Sequence, residues 1–272
     1  MVRWVFRLFV AGVIAALALA TWGYHSATRM PVFRAARISL PGWPRGAAPV
    51  TVALISDVHI GNAVTDAERF VRVADAVTGR RPDLIVLAGD FIAGHERADA
   101  AAAPALVPGL RRLRAPLGVI AVPGNHDHWT NVAAVRRALA RGGVAVLANR
   151  AVRRGPLAIG GLDDLPTRHA EVAGTVAAMR AVAGARLLVS HSPDAAALLP
   201  RDVPLVLAGH THCGQVVVPL FGAPVDVAHP RYRCGLVREG GRTTIVTAGT
   251  GTSVLPVRFG AAPDVWLVRV GP

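Results

Sequence analysis

The chain has 272 residues, 52% of them hydrophobic and 17% charged, which suits one large domain or two small ones and excludes a disordered chain. Its formal net charge is +13 and every basic residue is Arg, an excess that favours anionic partners such as phosphorylated substrates or membrane head groups. Nucleic acid fits less well, because the basic residues are scattered and aromatics make up only 5%, too few for a stacking platform.

Between Arg7 and Arg29 runs a 21-residue segment without formal charge, most apolar from Leu8 to Trp22. That is about the length of a bilayer-spanning helix, and Trp4, Trp22 and Tyr24 stand where interfacial aromatics would. The favoured reading is an uncleaved single-pass anchor over residues 1–28 in the cell membrane. Its rival is a cleaved signal peptide, since Ala16-Leu17-Ala18 and Ala18-Leu19-Ala20 have A-x-A form. Arg3 and Arg7 oppose Arg29, Arg34 and Arg37 across the segment, so flanking charge selects no side of the membrane.

Residues 29–49 read as a linker with a first strand at Ala36–Leu40, and residues 50–272 as the main domain. Val50 to Ser56 is a short apolar run closing on Asp57-Val58-His59. Thr65-Asp66-Ala67-Glu68 has capping-box form and opens a helix with Phe70, Val71, Ala74 and Val77 on one face. Leu84 to Ala88 is the next buried strand and ends at Gly89-Asp90; an Ala-rich helical region with Pro104 and Pro108 follows. Leu117 to Val122 leads into Pro123-Gly124-Asn125-His126-Asp127, and a helix from Thr130 to Arg141 stops at Gly142-Gly143. Short strands at Val144–Leu147 and Leu157–Gly160 precede a helix from about His169 to Val182. Arg186 to Val189 ends at Ser190-His191, and the run from Val203 to Ala208 ends at Gly209-His210-Thr211-His212. Gly235–Arg238 and Thr243–Ala248 flank a hairpin turn, and Val265 to Val270 is the last strand. The alternation of strands and helices predicts a mixed α/β core.

In such folds polar site residues collect beyond the carboxyl ends of strands, and here five apolar strands end in Asp, His or Asn. His210 and His212, at i and i+2 on extended backbone, are expected to point to one face. With Asp57, His59, Asp90, Asn125 and His191 they form a set of carboxylate, amide and imidazole donors without thiolate. Such donors suit Mn, Fe or Zn rather than Ca. Seven ligands are too many for one ion and about right for two that share a bridging carboxylate. Two such ions clamp the attacking and leaving oxygens of an in-line displacement and activate water at neutral pH.

In these motifs the chain resembles the calcineurin-like metallophosphoesterases, whose five blocks occur here in order over roughly residues 50–270. The resemblance implies that Asp57, His59 and His212 hold one metal, that Asn125, His191 and His210 hold the other, and that Asp90 bridges. It makes His126 the general acid or transition-state stabiliser, with Asp127 orienting its ring. It also implies two packed mixed β-sheets flanked by helices, a four-layer α-β-β-α sandwich. No ligand position is missing. Ser190-His191-Ser192-Pro193-Asp194, Gln215, and Thr247–Ser253 followed by Pro256-Val257-Arg258-Phe259 further resemble a bacterial subgroup of membrane-associated phosphodiesterases. Some of these hydrolyse the pyrophosphate of UDP-2,3-diacylglucosamine in lipid A synthesis. Cys213 stands where many relatives have Gly; with Cys234 it is too little for a disulfide framework and permits a single bridge.

The expected activity is hydrolysis of a phosphodiester or pyrophosphate on a lipid-linked or nucleotide-containing substrate by attack of a hydroxide held between two metals. A broad phosphomonoesterase or cyclic-nucleotide phosphodiesterase is the alternative within enzymes. Outside them, the alternative is a non-catalytic basic membrane protein that binds anionic lipid or nucleic acid. Arg258 and His128 are candidate substrate contacts, with His128 and Trp129 shaping the pocket rim, while Arg258 competes with a plain surface role. Gly249-Thr250-Gly251 either cradles phosphate with its N–H groups or is an ordinary loop. His25, His95, His169 and His229 read as surface residues.

Overall fold

The computed structural model describes residues 2–272. In chain order the elements are α1 (Val2–Thr28), β1 (Val32–Ser39), β2 (Val50–Ile55), α2 (Ala67–Thr78), β3 (Leu84–Ala88), α3 (Leu106–Leu110), β4 (Val119–Val122), α4 (Asn125–Thr130), α5 (Val132–Arg141), β5 (Ala145–Val146), β6 (Arg150–Arg154), β7 (Leu157–Gly161), α6 (Val172–Arg180), β8 (Ala185–Val189), β9 (Leu205–Ala208), β10 (Gly235–Glu239), β11 (Arg242–Val246) and β12 (Asp264–Gly271).

The strands form two six-stranded mixed sheets, one ordered β1-β12-β2-β3-β4-β5 and the other β10-β11-β9-β8-β7-β6. The strands β2 to β5 run parallel, as do β7, β8, β9 and β11, while β12 is antiparallel to β2. The two-residue period of a strand explains the layering. Along β3, Leu84 and Val86 face the second sheet, whereas Ile85 and Leu87 pack with Phe70, Val73 and Val77 of α2. Both faces of β3 are therefore buried, and its sequence is continuously apolar rather than alternating. The second sheet repeats this: Leu187 and Leu207 meet the first sheet, while Leu188 and Val206 pack with Val176 and Met179 of α6. The result is the expected four-layer sandwich, with its main core between the sheets.

Local chemistry sets the element ends. Asp66, rather than Thr65, caps α2 by accepting from Arg69 N at 2.7 Å. The segment expected as a linker carries β1, which pairs in parallel with β12 over its whole length and ties Arg34 to Asp264 at 2.6 Å. Strand β6 has no apolar alternation; it is a sheet edge, where exposed arginines discourage further strand pairing. The Asn125-His126-Asp127 stretch, read as a strand-end loop, is the first turn of α4. Helix α1 is exposed along its length until its last turns, where Gly23 and Ala27 are buried and Ser26 and Thr28 half-buried.

Candidate metal centre

The carboxyl ends of β2, β3 and β4 in one sheet and of β8 and β9 in the other open onto the same edge of the sandwich. The loops that follow them are held in backbone conformations that side chains normally avoid. Asp57, His59, Asp90, His210 and His212 all have φ between +48° and +73°, and each such residue costs of the order of 1–3 kcal/mol. The strain is held by crossed hydrogen bonds, from Asp57 N to Gly89 O at 3.0 Å and from His59 N to Asp90 O at 3.1 Å. Gly209 is required by close approach, since a Cβ there would fall 1.7 Å from Ser56 Oγ. Ser56 Oγ in turn donates to Asp57 Oδ2 at 2.5 Å.

These loops bring all seven expected ligands together. Nε2 of His59 and Nε2 of His212 lie 3.1 Å apart, with Asp57 Oδ1 3.9 Å and 3.5 Å from them. Beside this group, His191 Nε2 lies 3.0 Å from Asn125 Oδ1 and 3.1 Å from His210 Nδ1. Asp90 Oδ2 stands between the two groups, 3.6 Å from His59 Nε2 and 3.2 Å from His191 Nε2. Ligand atoms bound to one ion at about 2.0–2.2 Å lie roughly 3 Å from each other, so this spacing fits two ions that share Asp90. Nδ1 of His59 is buried without a hydrogen-bond partner, leaving the ring no protein anchor beyond the convergence of Nε2 with the other donors. One expectation is corrected. His210 and His212 do not share a strand face, because β9 ends at Ala208 and left-handed backbone at both histidines sends them to different groups of donors.

Burial and charge prepare the donors unequally. Burial holds the imidazoles of His59 down to about 3 and His210 down to about 4, and His212 well below its usual value, so all three are neutral. Burial raises Asp57 to about 7. Burial also opposes ionisation of Asp90, but the facing His191 overcomes it and holds that carboxyl well below its usual range. For His191 burial works against protonation, and the charge of Asp90 outweighs it, pushing the imidazole up to about 10.

The residues expected to do chemistry divide. The His126 Nε2 faces the cluster, 3.9 Å from Asp90 Oδ2, while its Nδ1 lies 2.7 Å from Gly94 O. Asp127 does not orient that ring, as had been expected. Its carboxylate accepts from the backbone N–H groups of Gly124, Asp90 and Phe91, pinning the β3 loop to the start of α4. Burial, reinforced by the charge of Asp90, raises Asp127 to about 7. His128 points away from the cavity, bonding Asp163 at 2.7 Å and stacking on His169. Arg258 is fully buried, and its guanidinium donates to the carbonyls of Ala248, Gly251 and Ala261 and lies 3.2 Å from His212 Nδ1. It supports the ligand loops and cannot reach substrate, which corrects both the substrate and the surface expectation. The N–H groups of Thr250 and Gly251 are spent on the carbonyls of Ser56 and Asp57, so this loop braces β2 rather than cradling phosphate.

A cavity of about 540 Å3 opens over the cluster. His95, expected to be an ordinary surface residue, lines it, stacks on Trp129 and lies 4.7 Å from the His126 ring. Ser253 Oγ stands 3.5 Å from His126 Nε2. His95 could not be assigned from sequence, since it follows no strand and belongs to no spaced motif; Ser253 closes the Thr247–Ser253 stretch, which by itself gives it no role.

Two sheets thus deliver carboxylates, an amide and imidazoles to one edge, in largely buried groups whose donor atoms lie close enough together to hold metal. Residues 50–214 match the calcineurin-like phosphoesterase family. The chain is 33% identical over 231 residues to the Bacillus subtilis uncharacterized metallophosphoesterase YkuE, covering 82% of this chain and 79% of that protein. It is 28% identical to the Escherichia coli phosphodiesterase YaeI, over 97% of this chain and 98% of the relative. A third relative, the Danio rerio transmembrane protein with metallophosphoesterase domain, is 29% identical over 96% of this chain, which spans 62% of its length. The chain belongs to the calcineurin-like phosphoesterase family and is a metal-dependent phosphoester hydrolase.

Proposed function

We propose that this enzyme is a membrane-anchored, two-metal phosphodiesterase or pyrophosphohydrolase acting on a lipid-linked or nucleotide-containing substrate. The observation that carries the reading is the convergence of all seven donors beneath a cavity whose wall presents His126 Nε2. In this reading Asp57, His59 and His212 hold one ion, Asn125, His191 and His210 the other, and Asp90 bridges them. The bound pair supplies Lewis acidity and an activated water for in-line displacement at phosphorus. The protein supplies position and proton control. Because Gly94 O can only accept, His126 carries a proton on Nδ1, which leaves Nε2 facing the cavity as the atom that takes up a proton and passes it to the leaving oxygen. A cavity with apolar walls at Trp129, Val225, Val227 and Leu255 suits a substituted phosphoester better than a bare phosphomonoester. The phosphodiesterase relative supports the same preference. UDP-2,3-diacylglucosamine is one candidate of this chemistry.

Helix α1, 27 residues long with an apolar stretch long enough to cross a bilayer, supports the anchor, as does the transmembrane relative. Cys213 and Cys234 form a disulfide, and such bonds persist in oxidising compartments, which supports an extracytoplasmic catalytic domain.

The test is hydrolysis of bis(p-nitrophenyl) phosphate beside p-nitrophenyl phosphate by the purified chain, with Mn²⁺ added and then chelated. Metal-dependent cleavage that prefers the diester is expected. Asp90→Ala should lower it by about three orders of magnitude, or about 4 kcal/mol of transition-state stabilisation. Undiminished turnover by Asp90→Ala, or in chelator, would overturn the assignment.

A further inference from the structure

Helix α1 is not a free tether. Its last turns are bolted to the loops that build the active site. Gly23 packs so closely on Phe259 that a Cβ would lie 2.5 Å from the ring, and its carbonyl accepts from Arg258 N at 2.9 Å. Tyr24 Oη donates to Ala63 O at 3.1 Å. The buried guanidinium of Arg69 donates to the carbonyls of Ala27, Thr28 and Arg29 at the end of α1, and also to Thr250 O beside the metal ligands. If α1 crosses a bilayer, this docking fixes which part of the catalytic domain meets it.

That part is the mouth of the active-site cavity. Val254 and Leu255 line the cavity, are 86% and 56% exposed, and precede the Val257–Phe259 segment that grips Gly23 by only two residues. Gln215 ties the neighbouring loop to them, donating to Ser253 O and Leu255 O and accepting from Ser253 N. That second loop projects Leu220 and Phe221, 102% and 87% exposed. Outside α1, eleven large hydrophobic residues are exposed among the described residues. Eight lie on these two loops or the cavity wall, Met30 and Val32 directly follow α1, and only Leu198 lies elsewhere. Apolar side chains gathered on one face of a soluble domain mark an interaction surface. Continuity with an apolar helix identifies its partner as the bilayer.

We infer that the Val218–Val227 and Ser253–Leu255 loops form a membrane-docking rim, and that the cavity opens at the lipid–water interface. The substrate class is then an amphiphile whose phosphoester head group enters the cavity while its acyl chains stay in the membrane. The anchor, the rim and the catalytic donors act as one rigid unit, so the reacting phosphorus is presented at a set height above the lipid. This inference rests on the anchor and hydrolase readings given above, but its two readouts separate from them.

The test uses the full chain in phosphatidylcholine–phosphatidylglycerol vesicles. Leu220→Cys, labelled with an environment-sensitive fluorophore while the native cysteines remain paired, should show blue-shifted emission that spin-labelled lipid quenches. Water-like, unquenched emission would overturn the proposal. So would a blue shift that lipid does not quench and dilution abolishes, since the occupant would then be a second copy of the chain. In the second readout, the Leu220→Glu/Phe221→Glu variant should lose at least tenfold on an acyl-chain phosphodiester in vesicles while cleaving bis(p-nitrophenyl) phosphate at the unaltered rate. Equal loss on both substrates, or none on the vesicle substrate, would refute the rim. If the unsubstituted chain cleaves neither substrate, the hydrolase reading fails, and the fluorescence result alone decides the surface.

Discussion

His126 and Arg258 show how little a residue's type says about its task. Both are cationic-capable groups close to the ligand cluster, but His126 Nε2 faces the cavity whereas Arg258 is enclosed by backbone carbonyls. His126→Gln should lower kcat about 10²–10⁴-fold while bound metal, measured by elemental analysis, stays at the unsubstituted level. Loss of metal in that variant would make His126 a ligand rather than a proton donor. Arg258→Ala leaves several buried carbonyls without donors and should cost about 3–5 kcal/mol. A fall in Tm of about 10 °C by calorimetry is the corresponding reading. Arg258→Lys should recover only part of it, because one ammonium cannot span the carbonyls of Ala248, Gly251 and Ala261. The ligand types and their order were legible from strand ends. The carbonyl that aims His126 was not, because Gly94 contributes only backbone and that leaves no mark in a side-chain pattern.

At the level of elements, the turn after β9 carries more constraint than any other segment. It places two ligands on left-handed backbone, and its Cys213 is bonded to Cys234 across 21 residues. Closing a loop of that length stabilises by about 3 kcal/mol in the chain-entropy account. Reduction should therefore lower Tm measurably and loosen metal retention, which thermal unfolding with and without reductant and metal analysis after dialysis would register. An unchanged Tm after complete thiol alkylation would show that the bridge leaves the turn indifferent. Helix α4 and strand β6 escaped the sequence for opposite reasons. The Asn125–Thr130 turn is built from polar site residues without helical periodicity, and Arg150–Arg154 pairs through its backbone as an edge strand.

Across the whole molecule, metal loading is coupled to proton release, because ligands bind deprotonated. In the metal-free protein His191 is protonated up to about pH 10 and Asp57 up to about 7. Ion binding must displace those protons, so affinity rises with pH. The Kd for Mn²⁺ should fall about tenfold per pH unit between 7 and 8 and more steeply between 6 and 7, where Asp57 adds a second proton. Titration calorimetry in buffers of different ionisation enthalpy would measure the release directly, and a Kd independent of pH would contradict it. By itself the sequence determined the alternation of apolar strands and helices, the apolar amino-terminal segment and the ligand residues at strand ends, because periodicity and strand-terminal polarity are local. Only the tertiary structure decided that α1 is clamped to the active-site loops, that Arg258 is buried and that Asp127 braces backbone. Those outcomes depend on which distant segments meet: Gly23 on Phe259, Arg69 on the end of α1 and Gly124 on Asp90 are contacts across 34 to 236 residues, and no local pattern encodes them.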